Sequence, residues 1–322
     1  MGVLAFTFIY PYNFRTNLGY QKMSTTDATP DFPEQDNELE VQEKFVAQAT
    51  QVLQEFFSRR KTPFHFRQLQ VLFETQFFHI ATAKAIYRLL EDNFLDKRVL
   101  QAGANKATFV FPSHLLDSAG SEKKLLTHIK SKAKIVALFD KASVSKDLGN
   151  HFEGLVKYEL RAHGLNIISM GSNEYNGRTW PGGKANLDFI AEGPNKVAFG
   201  VQVKNELKSI EQSELLKQIQ ICSHLKVKPL FIVRYMPFSF SPLIKQNKGF
   251  LAVLGNQLWP IGHRQLCETI KRRMSVTVPE NLKNLAPKVR TEWPVEVRTD
   301  IPEGTSKRLN YWITTGKYPE VT

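Results

Sequence analysis

Two strand-like runs, Asn186–Ala191 and Val197–Lys204, flank the turn Glu192-Gly193-Pro194-Asn195. A turn that tight reads as a β-hairpin, which fixes which residues of the two runs stand side by side. Before the hairpin come a helix-like stretch, Lys146–His163, closed by Gly164, and a short strand, Leu165–Ser169. Residues 171–185 between them are rich in Gly and Asn and read as a long irregular loop. After the hairpin come a helix over about Ile210–His224, a buried strand at Leu230–Arg234, a further strand at 250–254 and a helix over 262–274. Alternating strands and helices predict a mixed α/β sheet flanked by helices over residues 146–275.

Upstream, residues 41–115 carry three short amphipathic stretches. Phe45, Ala49, Val52 and Phe56 mark one face over about Val41–Arg59, and Leu69, Leu72 and Phe73 mark another over about Phe66–Phe77. Ala85, Ile86, Leu89 and Leu90 mark a third over about Thr82–Glu91. Lys97–Leu100, a Gly-Ala-Asn turn and Ala107–Phe111 then read as a hairpin. Three short helices and a hairpin resemble a winged helix, a relative of the helix-turn-helix whose third helix enters the DNA major groove. On that plan Thr82, Lys84 and Arg88 are candidate nucleic-acid contacts and the hairpin is the wing. Thr82 as a helix N-cap, and a winged helix that binds protein, are the other readings of the same pattern.

Residues 116–145 read as a basic helical connector, with Lys123, Lys124, Lys130, Lys132 and Lys134 on its surface. Residues 276–322, with several prolines and little periodicity, read as an extended C-terminal arm. Residues 1–40 read as a disordered tail, polar and acidic from Met23, itself a second candidate start.

The chain has 322 residues with 43 Lys+Arg against 31 Asp+Glu, a net +12. Residues 23–43 hold seven acids and no base, so the folded body is more basic than the total. Such a body points to a polyanionic partner, nucleic acid first, and charge alone does not separate DNA from RNA. Cys222 and Cys267 have neither CxxC nor Cys/His spacing, which argues against a disulfide scaffold and a structural zinc site. They read as core thiols of a cytoplasmic protein. The apolar run Val3–Tyr10 is shorter than the roughly 20 residues a bilayer requires, so no membrane partner is expected.

Chemistry enters through Glu153, Asp188 and Gln202-Val203-Lys204. Gln202 and Lys204 are two apart on one strand and share a face, and the hairpin sets Asp188 beside them. Glu153 lies on the preceding helix, between Gly149 and Gly154, small residues that suit a close helix–sheet approach. Phosphodiester hydrolysis needs such a set. Oxygen ligands hold Mg2+ or Mn2+, and a Lys orients water and stabilises the developing oxyanion. Asp188 is the expected main ligand, with the Gln202 amide oxygen, the Val203 carbonyl and Glu153 completing the shell. Asn205, Glu206 and Gln218 are candidate supporting residues. In the irregular loop Arg178 and Lys184, near Tyr175 and Trp180, suit contact with a distorted or single-stranded substrate. His151 and His163 read as structural.

The stretches GNHFEGLVKYELRAHG, NLDFIAEG, VAFGVQVKNE and PLFIVR resemble the PD-(D/E)xK nuclease superfamily, with its restriction-endonuclease-like fold. The order helix Glu, strand Asp, (D/E)xK is matched by Glu153, Asp188 and Lys204, and the chain is similar to archaeal Holliday-junction resolvases and Mrr-type enzymes. Two positions depart from the pattern. Leu187 stands where the family usually has Pro, and Gln202 stands for the Glu of ExK, as in Mrr-like QxK members. Gln removes a negative charge from the metal site, so metal affinity should be lower. The resemblance implies a metal-dependent DNA endonuclease with an N-terminal winged helix positioning the duplex, and a homodimer for cutting both strands. The alternatives are a nuclease-fold protein that binds DNA without cutting it, and a protein-interaction or assembly factor.

Overall fold

The computed structural model describes residues 35–117, 120–208 and 210–319, with side chains from Glu43 onward. Most of the expected tail, residues 1–34, lies outside the described residues. The first helix already begins at Gln35, within the segment read as tail.

An N-terminal unit runs α1 (Gln35–Ser58), β1 (Phe64–His65), α2 (Phe66–Phe73), α3 (His79–Glu91), β2 (Leu95–Ala102) and β3 (Asn105–Pro112). β3 lies between β1 and β2, antiparallel to both. Phe56, Phe57, Phe64 and Phe73 form its centre, with edge-on ring contacts at 5.0–5.7 Å. Each such contact adds about 0.5–1.5 kcal/mol beyond the burial of the rings.

The segment read as a connector belongs to this unit. α4 (Ser121–Phe139) lays Leu125, Ile129, Ala133 and Val136 against Phe109 and Phe111 on the back of the hairpin. These four residues recur every three or four positions, so the helix has a buried stripe as well as its basic face. Lys132 is not a solvated charge. It donates to the Pro63 carbonyl, sits 4.4 Å from the centre of the Phe64 ring, and burial, aided by Arg60, lowers its pKa to about 8.

The second unit begins with α5 (Ala142–Ala162), β4 (Asn166–Ser172), the small hairpin β5 (Glu174–Tyr175) and β6 (Arg178–Thr179), β7 (Leu187–Glu192), β8 (Ala198–Lys204), α6 (Gln212–Leu225) and β9 (Lys228–Val233). It continues with α7 (Ser241–Gln246), β10 (Phe250–Val253), β11 (Gln257–Trp259) and α8 (Arg264–Met274). The main sheet has the order β10-β9-β8-β7-β4; β4, β7 and β8 pair antiparallel, and β8, β9 and β10 pair parallel. It is therefore a mixed sheet, and helices flank it. Phe152, Val156 and Leu160 of α5 cover one side, packing on Phe189, Val201 and Leu230. Ile221, Cys222 and Leu225 of α6 cover the other.

The C-terminal segment is not an extended arm. α9 (Glu280–Leu285), β12 (Val295–Val297) and α10 (Glu303–Thr315) lie within residues 276–322. Val278, Leu282 and Ala286 enter the core of the N-terminal unit. β12 pairs parallel with β11, and Trp312 of α10 packs on Phe199 and Phe250. These apolar residues are scattered among prolines, so periodicity does not reveal that they are buried.

The two units are tied by a buried ion pair. Arg234, fully buried just after β9, donates from both terminal nitrogens to Glu74 just after α2, at 2.6 and 2.7 Å. The Tyr235 hydroxyl donates to the Glu74 carbonyl. Arg290 brings a second guanidinium within 3.0 Å of Glu74 Oε1, close enough for an ion pair though not a well-aligned hydrogen bond. Gln68 Nε2 donates to the Met274 carbonyl at 2.6 Å, a further link between α2 and α8.

Candidate active site

The β7–β8 ladder runs from Glu192–Ala198 to Phe189–Val201. Asp188 is the next residue, and its carboxylate takes over as acceptor. Oδ2 receives the Val203 backbone N–H at 2.7 Å and the Gln202 side-chain amide at 2.7 Å. Neither bond uses Oδ1. A carboxylate only accepts, which sets the Gln202 amide with its nitrogen towards Asp188. The Gln202 oxygen, Oε1, is then left buried without a partner, on a side chain only 6% exposed. Such an atom is costly unless something it can ligate sits opposite it.

Gln202 shares the α6 side of β8 with Gly200, whose Cα faces Cys222 and Val227, while Val201 and Val203 face α5. Gly200 is the glycine the packing needs. A Cβ there would meet Cys222 Sγ at 2.6 Å and Leu187 Cδ1 at 2.7 Å. Leu187 is fully buried against this spot, so the residue standing for the family's Pro is a core residue. Gly149 and Gly154 have no such role, since a Cβ on either meets nothing within 4 Å.

Glu153, Asp188, Gln202 and Lys204 line one cavity of about 390 Å3 at the end of β8, and Gly149 and Arg67 also face it. Lys204 Nζ pairs with Glu214 Oε1 at 2.6 Å, which brings in a residue of α6 that the sequence reading did not single out. Its only signal is its place one turn before Gln218 on the same helix. Gln218 itself is buried, with its Oε1 unpartnered. Asn205 is structural. It donates to the Leu148 and Leu258 carbonyls and accepts from the Leu258 N–H, tying β8 to α5 and β11.

Burial raises the Asp188 pKa to about 6, the neighbouring charges of Glu153 and Glu214 push the same way, and the Val203 N–H and Lys204 oppose them. Burial pulls Lys204 down, but Glu214, Glu206 and Asp188 outweigh it, so its pKa is raised and it stays an ammonium at neutral pH. Among the described residues no group of three or more His, Cys, Asp and Glu side chains is spaced to hold a metal. The residues that line the cavity with oxygen-bearing groups are the carboxylates Asp188 and Glu153, the amide Gln202 and the backbone of Val203. That set suits a hard divalent cation better than zinc.

The other expected contacts lie elsewhere. Thr82 is fully buried in α3 beside Ala81, Ala85 and Ile86, with its hydroxyl unpartnered, so it is not at a DNA-facing surface. Lys84 is exposed on that helix, and Arg88 is paired with Glu43 of α1. Arg178 and Lys184 are exposed and do not line the cavity. Their loop is partly ordered as β5–β6 and held down by Trp180, which packs edge-on against His224 at 5.7 Å. His151 and His163 bond to the Arg298 carbonyl and to Ser306, in keeping with structural roles. Cys222 and Cys267 are buried and unbridged, and no helix among the described residues is long and apolar enough to cross a membrane.

Set against protein-family models, curated proteins and solved structures, the chain matches none.

Proposed function

We propose that the chain is a metal-dependent DNA endonuclease built on a restriction-endonuclease-like sheet, with the N-terminal unit acting as a winged helix. The observation that carries this reading is that Asp188, Gln202, Lys204 and Glu153 line a single cavity, where the Gln202 amide bonds to the Asp188 carboxylate. The succession α5-β4-β7-β8-α6-β9, with three antiparallel and then parallel strands, supports the fold assignment.

Asp188, Gln202 Oε1, the Val203 carbonyl and Glu153 are the residues that would hold Mg2+ or Mn2+. When bound, the ion would supply Lewis-acid stabilisation of the phosphoryl oxygens. The Val203 N–H and the Gln202 amide orient Asp188 by fixing its Oδ2. Lys204, held charged by Glu214, orients the attacking water and stabilises negative charge on the phosphoryl group. Cutting both strands of a duplex would take two copies, as a homodimer or in succession.

The test is nicking of supercoiled plasmid and branched DNA by purified protein, with Mg2+ or Mn2+ and with EDTA, beside Asp188→Ala and Lys204→Ala. Metal-dependent nicking lost in both variants is the expected result. A second reading, a DNA-binding protein that does not cut, draws on the Lys204–Glu214 pair and on Gln202 in place of a carboxylate. It predicts metal-independent DNA binding and no nicking in all three proteins.

A further inference from the structure

A second, larger cavity of about 780 Å3 adjoins the first, and the two share Arg67, Phe139, Asp140, Ser145 and Leu207. Its far wall is the front of the β2–β3 hairpin. Val99 pairs with Thr108 and Gln101 with Lys106 in the antiparallel ladder, so Lys97, Val99, Thr108 and Lys106 present one face. That face emerges from the core and becomes exposed. Opposite it, Phe66 of α2 and Tyr87 of α3 stand with ring centroids 5.5 Å apart, and Tyr87 is 53% exposed. Trp293 also lines the groove, and its buried indole N–H has no partner. Among the described residues Asp140 is the groove's one acidic lining residue; burial raises its pKa, and nearby Arg67 opposes that rise.

Basic side chains and the exposed Tyr87 ring in one groove suit phosphates and unstacked bases. The volume is that of a pocket for ligand-sized units, not of a surface for a duplex. We infer that this groove holds an unpaired strand of DNA and leads it past Arg67 to the candidate active site, so that the preferred substrate carries a single-stranded end, flap or fork. The inference rests on the nuclease reading for its direction, but strand binding is measured without cleavage. It also gives the hairpin a different use from that of a wing lying on duplex.

The test uses the full chain in EDTA, with fluorescence anisotropy of a labelled thymidine 20-mer and of a 20-base-pair duplex at matched salt. The single strand is expected to bind at least tenfold more tightly than the duplex. Lys97→Glu with Lys106→Glu should weaken single-strand binding at least tenfold and flatten its salt dependence. Tyr87→Ala should weaken it by roughly five- to a hundred-fold, the range for losing one stacked base. All three positions are exposed or rim positions, and circular dichroism checks that the variants fold. Equal or tighter duplex binding, or single-strand affinity within twofold of wild type in the charge-reversal variant, overturns the proposal. Cleavage with Mg2+ is scored separately. A wild-type protein that binds single strands through the groove but cuts nothing would refute the nuclease reading and leave the groove standing.

Discussion

Asp188→Asn should make this protein more stable at neutral pH while removing the proposed nicking of DNA. The Asp188 carboxyl rises from an ordinary 3.8 to about 6, chiefly through burial, so the folded state holds the proton more tightly than the unfolded chain does. The Asp188 contribution to wild-type stability is therefore undiminished below pH 3.8. It falls as pH rises through the interval up to about 6, and above that it stays lower by about 3 kcal/mol. The amide of the variant carries no charge to bury, and its oxygen can still accept the Val203 N–H and the Gln202 amide. Its nitrogen also offers a donor near the unpartnered Gln202 Oε1. Urea unfolding in EDTA at pH 4 and pH 7.5 measures this. The variant should gain about 3 kcal/mol over wild type at pH 7.5 and almost nothing at pH 4. Added Mg2+ should stabilise the wild type alone, because a ligand that binds only the folded state shifts unfolding. A variant equally destabilised at both pH values would refute the argument that a buried charge is being carried at the site.

Glu214→Gln should lower the Lys204 pKa, since burial is then opposed only by Glu206 and Asp188; the alkaline limb of the pH–rate profile for nicking should move to lower pH. Gln202→Glu places a second carboxylate 2.7 Å from Asp188, where the pair would share a proton without metal; titration calorimetry should show Mn2+ binding at least tenfold tighter than wild type. Gly200→Ala drives a methyl group into Cys222 and Leu187 and should cost about 1–3 kcal/mol in urea unfolding. Glu74→Gln leaves a buried guanidinium without its carboxylate and should cost about 3–5 kcal/mol, read as the same unfolding midpoint shift and as new proteolytic nicking between the units.

The site was legible where a short turn fixes the geometry. Once Gly193 and Pro194 close the hairpin, Asp188 has to stand beside Gln202, and Lys204 has to share the side of Gln202. Contacts set by distant segments were not legible. Glu214 meets Lys204 only because α6 packs back across the sheet, and Glu74 meets Arg234 across 160 residues of chain. Thr82 shows a different failure. The spacing of Ala85, Ile86 and Leu89 finds α3 correctly, but the helix starts at His79 and its buried stripe is wide enough to take in Thr82. The helix over 121–139 was legible, but its packing on the hairpin was not, because a lysine-rich helix hides a narrow apolar stripe. The supposed arm failed because Trp293, Val295 and Trp312 are buried one at a time against elements far away in sequence.

The Glu74–Arg234 pair has a consequence for how such a molecule would select its cutting point. The Arg234 backbone N–H donates to the Lys204 carbonyl at 2.7 Å, and its side chain holds both the Glu206 carbonyl and Glu74. The N-terminal unit is thus fastened, through Glu74 and Arg234, to the residue that would act at the phosphate. A strand anchored at the hairpin would meet Lys204 after a set length of backbone, whatever its bases. The protein would behave as a gauge, leaving product ends of constant length measured from the point where the duplex opens.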